Sequence, residues 1–274
     1  IWADATYYNA ITGFTRYLPA YRPIHAKRDL ARLGWIDSES LRNERVVEKL
    51  GDAFSEELSY PVKPITCPKK SGNQLNVLMI VVDALRPEMV DSKITPTIEQ
   101  FKEKAIRFNN HYSGGSSSRM GAFSIFYGIP TTYWRTFHDN QRSSILIDKF
   151  LDHQYQVLGI SSAGFGSPTV LDRTAFARVK DLNVKRLSSL DKESNRLVTK
   201  KWLEWLSQYK SERPFFSYLH YDPPMNAIDS IDFNLIPKQF LTKETDEHLK
   251  EVGRYTQSIL FVDSEIDTIL ESLN

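Results

Sequence analysis

Three apolar runs of strand length are separated by longer stretches whose apolar positions recur at helical spacing. The predicted strands are Asn76–Val82, Gln156–Ile160 and Phe215–Leu219, and the predicted helices are Pro96–Lys104, Ala122–Tyr127, Asn195–Tyr209 and Glu251–Leu273. Strands that alternate with helices predict an α/β fold, a three-layer sandwich with a mainly parallel central sheet. Because Asn76–Val82 is apolar at nearly every position, we expect it to be an interior strand of that sheet.

The first 75 residues follow a different pattern. Ile1–Pro23 is rich in aromatic residues without a clear helical or strand period, and short helices are predicted at His25–Leu33 and Ser38–Leu50. Tyr60–Gly72 contains three prolines and a Lys-Lys-Ser-Gly turn, which indicates a linker. The pattern therefore predicts an N-terminal helical linker over residues 1–75 and an α/β domain over residues 76–274.

Composition narrows the possible functions. The 274 residues carry 35 lysines and arginines against 34 aspartates and glutamates, so no overall positive field attracts nucleic acid. No apolar run reaches the roughly 18 residues of a membrane-spanning helix. The single Cys67 excludes an internal disulfide and a cysteine zinc site. The chain begins with Ile1 and has no signal peptide, so we expect it to be a fragment of a longer protein.

Asp83 directly follows the first predicted strand, in the sequence NVLMIVVDALR. In open α/β sheets, ligands bind at the carboxyl ends of the strands. A carboxylate at this place is a suitable ligand for a divalent metal ion. The alternative is that Asp83 only caps the turn that follows the strand.

A serine-rich turn lies in the sequence YSGGSSSRMGAFSIFYG, between Tyr112 and Gly128. Ser116, Ser117 and Ser118 offer hydroxyl groups, and a serine activated by a metal or a base can act as a nucleophile. Arg119 can hold an anionic oxyacid through two parallel hydrogen bonds. The alternative is a flexible polar loop. The turn is not a phosphate-binding P-loop, because no Gly-Lys-Ser/Thr sequence follows.

These two segments together resemble the sulfatase branch of the alkaline phosphatase superfamily. The resemblance extends to RPFFSYLHYDPPM, which is similar to the sulfatase strand that ends in a Pro-His pair, and to the helical sequence YTQSILFVDSEIDTILESL. More narrowly, IWADATYY, KRDLARLGWID, SSAGFGSP and FYG resemble the periplasmic part of the inner-membrane proteins of the YejM/PbgA family.

The resemblance implies roles for particular residues. It assigns Asp83 and Ser117 to a divalent metal (Mg, Mn, Zn or Ca) and the nucleophile to Ser117, with Ser116 and Ser118 as alternatives and Arg119 beside them. Three departures weaken this assignment. The turn has no cysteine, so phosphate esters become more suitable substrates than sulfate esters; Met225 replaces the histidine of the Pro-His pair; and the chain ends at Asn274, before the strand that carries further ligands. We therefore expect any metal to be weakly bound or absent.

Two histidines lie near these segments. His220 follows the third predicted strand, with Asp222 two residues later, and the two side chains are possible additional metal ligands. The alternative, which we favour, is a half-buried His220 satisfied by the backbone. His111 precedes the serine turn and is a weaker candidate for orienting an anion.

The N-terminal arm is basic. Residues 16–32 contain five lysines and arginines against one aspartate, interleaved with or preceded by aromatic residues. This composition is typical of a segment at the interface of a membrane with anionic lipid. Arg28 and Arg32 are four residues apart, so they share one face of a helix, and Lys27 flanks them; together they can bind a lipid phosphate. The alternative is a solvated helix face, but the family resemblance favours lipid A or cardiolipin head groups.

Together the residues and the resemblance predict a sulfatase-like domain at the periplasmic face of the bacterial inner membrane, anchored through an N-terminal region not included in the sequence. It would sense anionic lipid, either lipopolysaccharide (lipid A) or cardiolipin. The resemblance further implies inner-membrane regulatory proteins as partners and a role in outer-membrane lipid homeostasis. One alternative is a metal-dependent phosphatase, phosphoglycerol-type transferase or sulfuric ester hydrolase with a serine nucleophile. A second alternative is a domain that only spaces the anchor from the cell wall.

Overall fold

A computed structural model describes residues 34, 59–66, 74–228, 231–241 and 246–273. The chain divides into two compact units, residues 1–66 and 67–274. In the first unit, Gly34 lies in a turn and residues 59–66 form neither helix nor strand. The helices predicted at His25–Leu33 and Ser38–Leu50 lie outside the described residues.

The second unit is built on a parallel sheet of three strands in its described part. These are β1 (Val77–Val82), β2 (Gln156–Ser161) and β3 (Phe215–Tyr221), in the order β1-β3-β2. The predicted interior position of β1 is therefore wrong among the described strands, since β3 is the central one. Every residue of β3 is buried, whereas every residue of β1 is half-buried. An apolar run indicates that both faces of a strand are covered. It does not indicate whether the strand has a hydrogen-bonded neighbour on each side.

Helices lie between the strands, as predicted. They are α1 (Pro96–Lys102), α2 (Ser118–Tyr127), α3 (Trp134–Asp139), α4 (Ile145–Asp152), α5 (Asp191–Gln208) and α6 (Asp246–Glu271). Short 3-10 helices occur at Pro87–Met89, Thr131–Tyr133, Leu171–Arg173, Met225–Ala227, Phe233–Leu235 and Lys238–Phe240. No helix in the described ranges is both long enough and apolar enough to cross a membrane.

Helices cover both faces of the sheet, which confirms the predicted α/β sandwich. On one face, side chains of α5 and α6 pack on odd-numbered residues of β3; this core contains Val198, Trp202, Phe215, Leu219, Tyr221, Val262, Ile266 and Ile269. On the other face, aromatic rings of α2 and α4 contact even-numbered residues. Phe126 lies 5.2 Å from Tyr218 and Phe150 lies 4.4 Å from Phe216, measured between ring centroids. The two faces bury different residues because side chains alternate along a strand.

The beginning of α1 is held by a residue far away in the chain. Thr95, which directly precedes α1, makes no side-chain capping bond and instead donates to the carbonyl of Met89. The carboxylate of Asp263, on α6, accepts hydrogen bonds from the amides of Thr97 at 2.9 Å and Ile98 at 3.0 Å. Asp263 is 1% exposed. A negative charge here satisfies amides that have no partner within the helix, and thereby fixes α1 to α6.

Candidate functional site

A cleft of about 490 Å³ lies at the carboxyl end of the sheet. Its walls come from the residues after β1, the end of β3, the first turn of α2 and the loops at 163–169 and 184–186. Parallel strands bring their carboxyl ends to one edge, so residues separated by more than 100 positions in the chain become neighbours. The polar residues of its lining are Asp83, Ser118, Ser167, Thr169, Lys185, Arg186, His220 and Asp222.

His220 is a buried polar residue of the cleft with partners on both ring nitrogens. It lies on the central strand, level with Val81 of β1 and Ser161 of β2, and is 5% exposed. Its Nδ1 lies 2.9 Å from the hydroxyl of Ser161, and its Nε2 lies 3.8 Å from Oδ2 of Asp83. Burial lowers the pKa of His220, although the carboxylates of Asp83 and Asp222 act in the opposite direction.

The backbone of Asp222 is fixed by hydrogen bonds from two sides. Its amide donates to the hydroxyl of Ser162 at 2.8 Å and to the side-chain oxygen of Asn195 at 3.1 Å. The side-chain nitrogen of Asn195 donates in return to the carbonyl of Asp222 at 2.7 Å. These bonds attach the end of β3 to the residue after β2 and to the first turns of α5, and they set the position of the carboxylate in the cleft.

Two basic residues border the cleft, and they differ in whether a carboxylate balances their charge. Arg186 pairs with Asp222 through Nη2 at 2.9 Å and also with Asp191, so its charge is balanced by two carboxylates. Burial raises the pKa of Asp222, and the charge of Arg186 opposes this shift. Lys185 is exposed and has no carboxylate partner in the described part of the chain. Lys185 is therefore the cation that is available to an anionic ligand.

Gly164 allows the two loops of the cleft to approach each other closely. Its φ is +87°, and a Cβ atom there would lie 2.6 Å from the carbonyl carbon of Lys185 and the carbonyl oxygen of Val184. The amides of the two residues after it join the loops: Phe165 donates to the carbonyl of Asn183 at 2.9 Å, and Gly166 donates to the carbonyl of Val184 at 2.8 Å. The backbone of the second loop is thus positioned by contacts that need a glycine.

The structure separates the members of the predicted serine turn. Ser118, in the first turn of α2, lines the cleft together with Asp83. Ser117 is the N-terminal flanking residue of α2, makes no capping bond with its side chain, and is exposed, as is Ser116. Arg119 donates through Nε to the carbonyl of Pro168 at 2.7 Å, and its guanidinium lies 4.5 Å from the ring centre of Trp134. The roles proposed for these residues remain predictions.

A divalent metal fits part of this donor set. The carboxylate of Asp83 and Nε2 of His220 are 3.8 Å apart, and Ser161 orients the imidazole through Nδ1, as groups behind metal ligands commonly do. Among the described residues, no group of three or more histidine, cysteine, aspartate or glutamate side chains could hold a metal ion. Asp83 and His220 would therefore hold a cation with help from ligands of another kind.

Comparison with protein families identifies the domain that contains this cleft. The model of the sulfatase family, described simply as "Sulfatase", matches residues 76–274. The chain belongs to the sulfatase family. Sulfatases generally depend on a metal ion, which agrees with the carboxylate at the end of β1. A second model, "Domain of unknown function (DUF3413)", matches residues 1–67.

Curated relatives extend the similarity to most of the chain. The Salmonella typhimurium "Inner membrane protein YejM" is 28% identical over 272 residues, which are 96% of this chain and 44% of the relative. An "Uncharacterized protein" of Haemophilus influenzae is 28% identical over 240 residues, 84% of this chain and 40% of the relative. The resemblance to YejM seen in the sequence is confirmed, and the chain spans less than half the length of these relatives.

The prediction for His220 needs correction. We favoured a half-buried histidine satisfied by the backbone, but His220 is buried and its nearest polar partners are the side chains of Ser161 and Asp83. These partners lie 59 and 137 positions away in the chain, so no local spacing could have indicated them. Lys185 and Arg186 were missed for the same reason, since only the loop contacts bring them to the cleft. His111, the other histidine considered, is exposed.

Proposed function

We propose that this chain is the sulfatase-like domain of an inner-membrane protein and that it binds anionic lipid at the periplasmic face. The observation that carries the proposal is the similarity to "Inner membrane protein YejM" over 96% of the chain. It includes the segment of Lys27, Arg28 and Arg32, which lies outside the described residues. Each such residue contributes about 1 kcal/mol near an anionic membrane surface, so a group of three is enough for measurable attraction.

The proposed ligand is a lipid whose head group carries phosphate, such as lipid A or cardiolipin. A head group with two phosphates matches a group of cations better than a single charge does, because arginine can bind each phosphate through two hydrogen bonds. Occupancy of the arm would then report the amount of lipid to inner-membrane regulatory proteins and thereby control outer-membrane lipid homeostasis. This regulatory step rests on the lipid-binding step and fails with it.

A second candidate function is hydrolysis or transfer of a phosphate ester. The observation that favours it is the convergence of Asp83, Ser118 and His220 on one cleft, beside the available cation of Lys185. A bound divalent metal would polarise the ester and favour ionisation of a nearby hydroxyl. Asp83 and His220 would hold that metal, Ser118 would present its hydroxyl, and Lys185 would bind the anionic ester. The absence of cysteine from the serine turn favours phosphate over sulfate esters.

Vesicles of controlled composition test the lipid-binding proposal. The purified chain should co-sediment with vesicles containing lipid A or cardiolipin and should not do so with neutral phosphatidylcholine vesicles. Raising the ionic strength from 0.05 M to 0.5 M should weaken binding at least tenfold, because the contacts lie at a wet surface. Equal binding to neutral and anionic vesicles would contradict the proposal.

A further inference from the structure

The turn after β1 has a backbone conformation that its residue does not favour. Asp83 is still paired with the sheet, since its amide donates to the carbonyl of Tyr221 at 2.8 Å. The chain leaves the sheet at the next residue, Ala84, whose φ is +55°. A left-handed backbone is disfavoured for a residue with a Cβ atom, because that atom comes too close to the following carbonyl oxygen. Contacts from elsewhere in the molecule are therefore needed to stabilise this turn.

These contacts come from a tyrosine on α6. The hydroxyl of Tyr255 donates to the carbonyl of Ala84 at 2.7 Å and accepts from the amide of Arg86 at 3.0 Å. Tyr255 lies 171 positions from Ala84 in the chain, so the two bonds connect the turn to a separate element. One hydroxyl thus provides partners for a carbonyl and an amide that lie beyond the end of the strand.

The surroundings of the Tyr255 ring fix the place of its hydroxyl. The ring packs against the buried cluster of Met89, Ile94 and Ile259, and Ile259 lies one turn further along α6. The same helix is attached to α1 through the carboxylate of Asp263. The hydroxyl therefore lies at the end of a stiff side chain on a packed helix, an arrangement that holds functional groups accurately.

The turn determines where the side chain of Asp83 lies in the cleft. This side chain is 24% exposed, and its Oδ2 lies 3.8 Å from Nε2 of His220. A relaxed turn would change the backbone angles on both sides of the peptide that joins Asp83 to Ala84, and the carboxylate would move with them. Tyr255 does not itself line the cleft, so any effect on a ligand there would act through Asp83.

We propose that Tyr255 is a positioning residue for Asp83. Its two hydrogen bonds hold the left-handed turn at Ala84, and this turn keeps the carboxylate of Asp83 facing His220. The proposal deepens the second candidate function, and it rests on that function only where Asp83 is taken to hold a divalent metal ion. Tyr255 would then raise the affinity for the metal without touching it.

Crystal structures of the full-length protein, grown with a chelator, test the placement. Tyr255→Phe keeps the ring and removes the hydroxyl, so the distance from Oδ2 of Asp83 to Nε2 of His220 should increase by at least about 1 Å as the turn relaxes. The control is Tyr155→Phe, which removes a hydroxyl that donates to the carbonyl of Leu75 at 3.1 Å, beside the opposite end of β1. It should leave the distance unchanged. No increase in Tyr255→Phe, or an equal increase in the control, would overturn the proposal.

A glycine at position 84 separates positioning from general support of the fold. Glycine adopts a left-handed backbone about as readily as a right-handed one. Combining Ala84→Gly with Tyr255→Phe should therefore return the carboxylate to its wild-type distance from His220. A contribution of Tyr255 to packing alone would not be restored by a change in the turn, so absence of recovery would overturn the proposal.

Affinity for Mn²⁺, measured by titration calorimetry, connects the placement with the second candidate function. Tyr255→Phe should weaken Mn²⁺ binding at least about tenfold, the size of effect found when a group behind a metal ligand is removed. The combination with Ala84→Gly should recover most of this loss, and Tyr155→Phe should bind as the wild type does. Wild-type affinity in Tyr255→Phe would overturn the proposal. A wild-type protein that binds no Mn²⁺ would instead contradict the metal-dependent function, and the crystal structures would still decide the role of Tyr255.

Discussion

The cleft contains one buried imidazole that is influenced by two carboxylates. His220 faces Asp83 directly, lies near Asp222, and is oriented by the hydroxyl of Ser161. Burial is the largest influence on its pKa and lowers it from the ordinary value of 6.5. Burial therefore favours the neutral imidazole, which is the form that can accept a proton or bind a metal ion.

This lowered pKa predicts how stability depends on pH. Because the unfolded chain takes up the proton more readily, His220 contributes stability above about pH 6.5 that is lost as the pH falls below that value. We expect the free energy of unfolding, measured with urea in the presence of a chelator, to decrease between pH 7 and pH 5. His220→Asn should show a shallower decrease, whereas His111→Asn, at an exposed position, should keep the wild-type slope. Equal slopes for wild type and His220→Asn would contradict this account.

The hydrolase proposal makes a prediction about neighbouring serines. Ser118 lines the cleft and Ser117 does not, so Ser118→Ala should reduce the rate of metal-dependent phosphate-ester hydrolysis at least 100-fold. Ser117→Ala should change that rate less than threefold. This variant also controls for any effect of replacing a serine at the N-terminus of α2. The rate is read from release of p-nitrophenol at saturating Mn²⁺. A larger loss in Ser117→Ala would restore the assignment implied by the family resemblance.

At the scale of elements, one buried carboxylate joins two helices. Asp263→Ala removes the acceptor of the Thr97 and Ile98 amides, which are half-buried and lose this hydrogen-bond partner. We expect a loss of about 2 kcal/mol in the free energy of unfolding, measured by urea denaturation. Asp267→Ala removes an exposed carboxylate one turn further along α6 and should change stability by less than about 0.5 kcal/mol. Similar losses in the two variants would show that Asp263 does not act as the cap.

The close approach of the two cleft loops gives a second prediction at this scale. Gly164→Ala must move the backbone of residues 184–185, because the new Cβ atom would overlap it. Gly128→Ala meets the same left-handed backbone strain, with φ at +64°, but nothing lies within 4 Å of the added atom. We expect about 1 kcal/mol of destabilisation at Gly128 and clearly more at Gly164. Urea denaturation of both variants measures the difference, and equal losses would exclude the steric explanation.

The sequence predicted which segments form strands and long helices. It predicted less well where these segments end and which strands lie next to each other. The three strands and the long helices follow from periodicity, and Asp83 follows from its place after an apolar strand. Helix α4 was missed, although Ser144 caps it by accepting from the amide of Ile147 at 3.3 Å. Strand β3 extends two residues beyond its predicted end and so includes His220. The predicted end was too early because the strand was recognised by its apolar positions, and the last residues of β3 include the polar His220.

On the scale of the whole molecule, the two proposed activities lie in different parts of the chain. The cleft belongs to the unit of residues 67–274, and the basic arm belongs to the unit of residues 1–66. Substitutions in one unit should therefore leave the activity of the other unchanged. Ser118→Ala, for example, should bind anionic vesicles with the wild-type affinity. A loss of vesicle binding in this variant, measured by co-sedimentation, would show that the cleft contributes to lipid recognition.

The most direct test of the central claim is a charge reversal in the arm. Lys27→Glu, Arg28→Glu and Arg32→Glu together replace three attractive charges with three repulsive ones, and should weaken binding to lipid A or cardiolipin vesicles at least 100-fold at low salt. The control is reversal of Lys180, Lys201 and Lys210, three exposed lysines whose replacement changes the net charge by the same amount. The account predicts loss of co-sedimentation for the arm variant and near wild-type binding for the control. Equal weakening in both, or full binding by the arm variant, would contradict it.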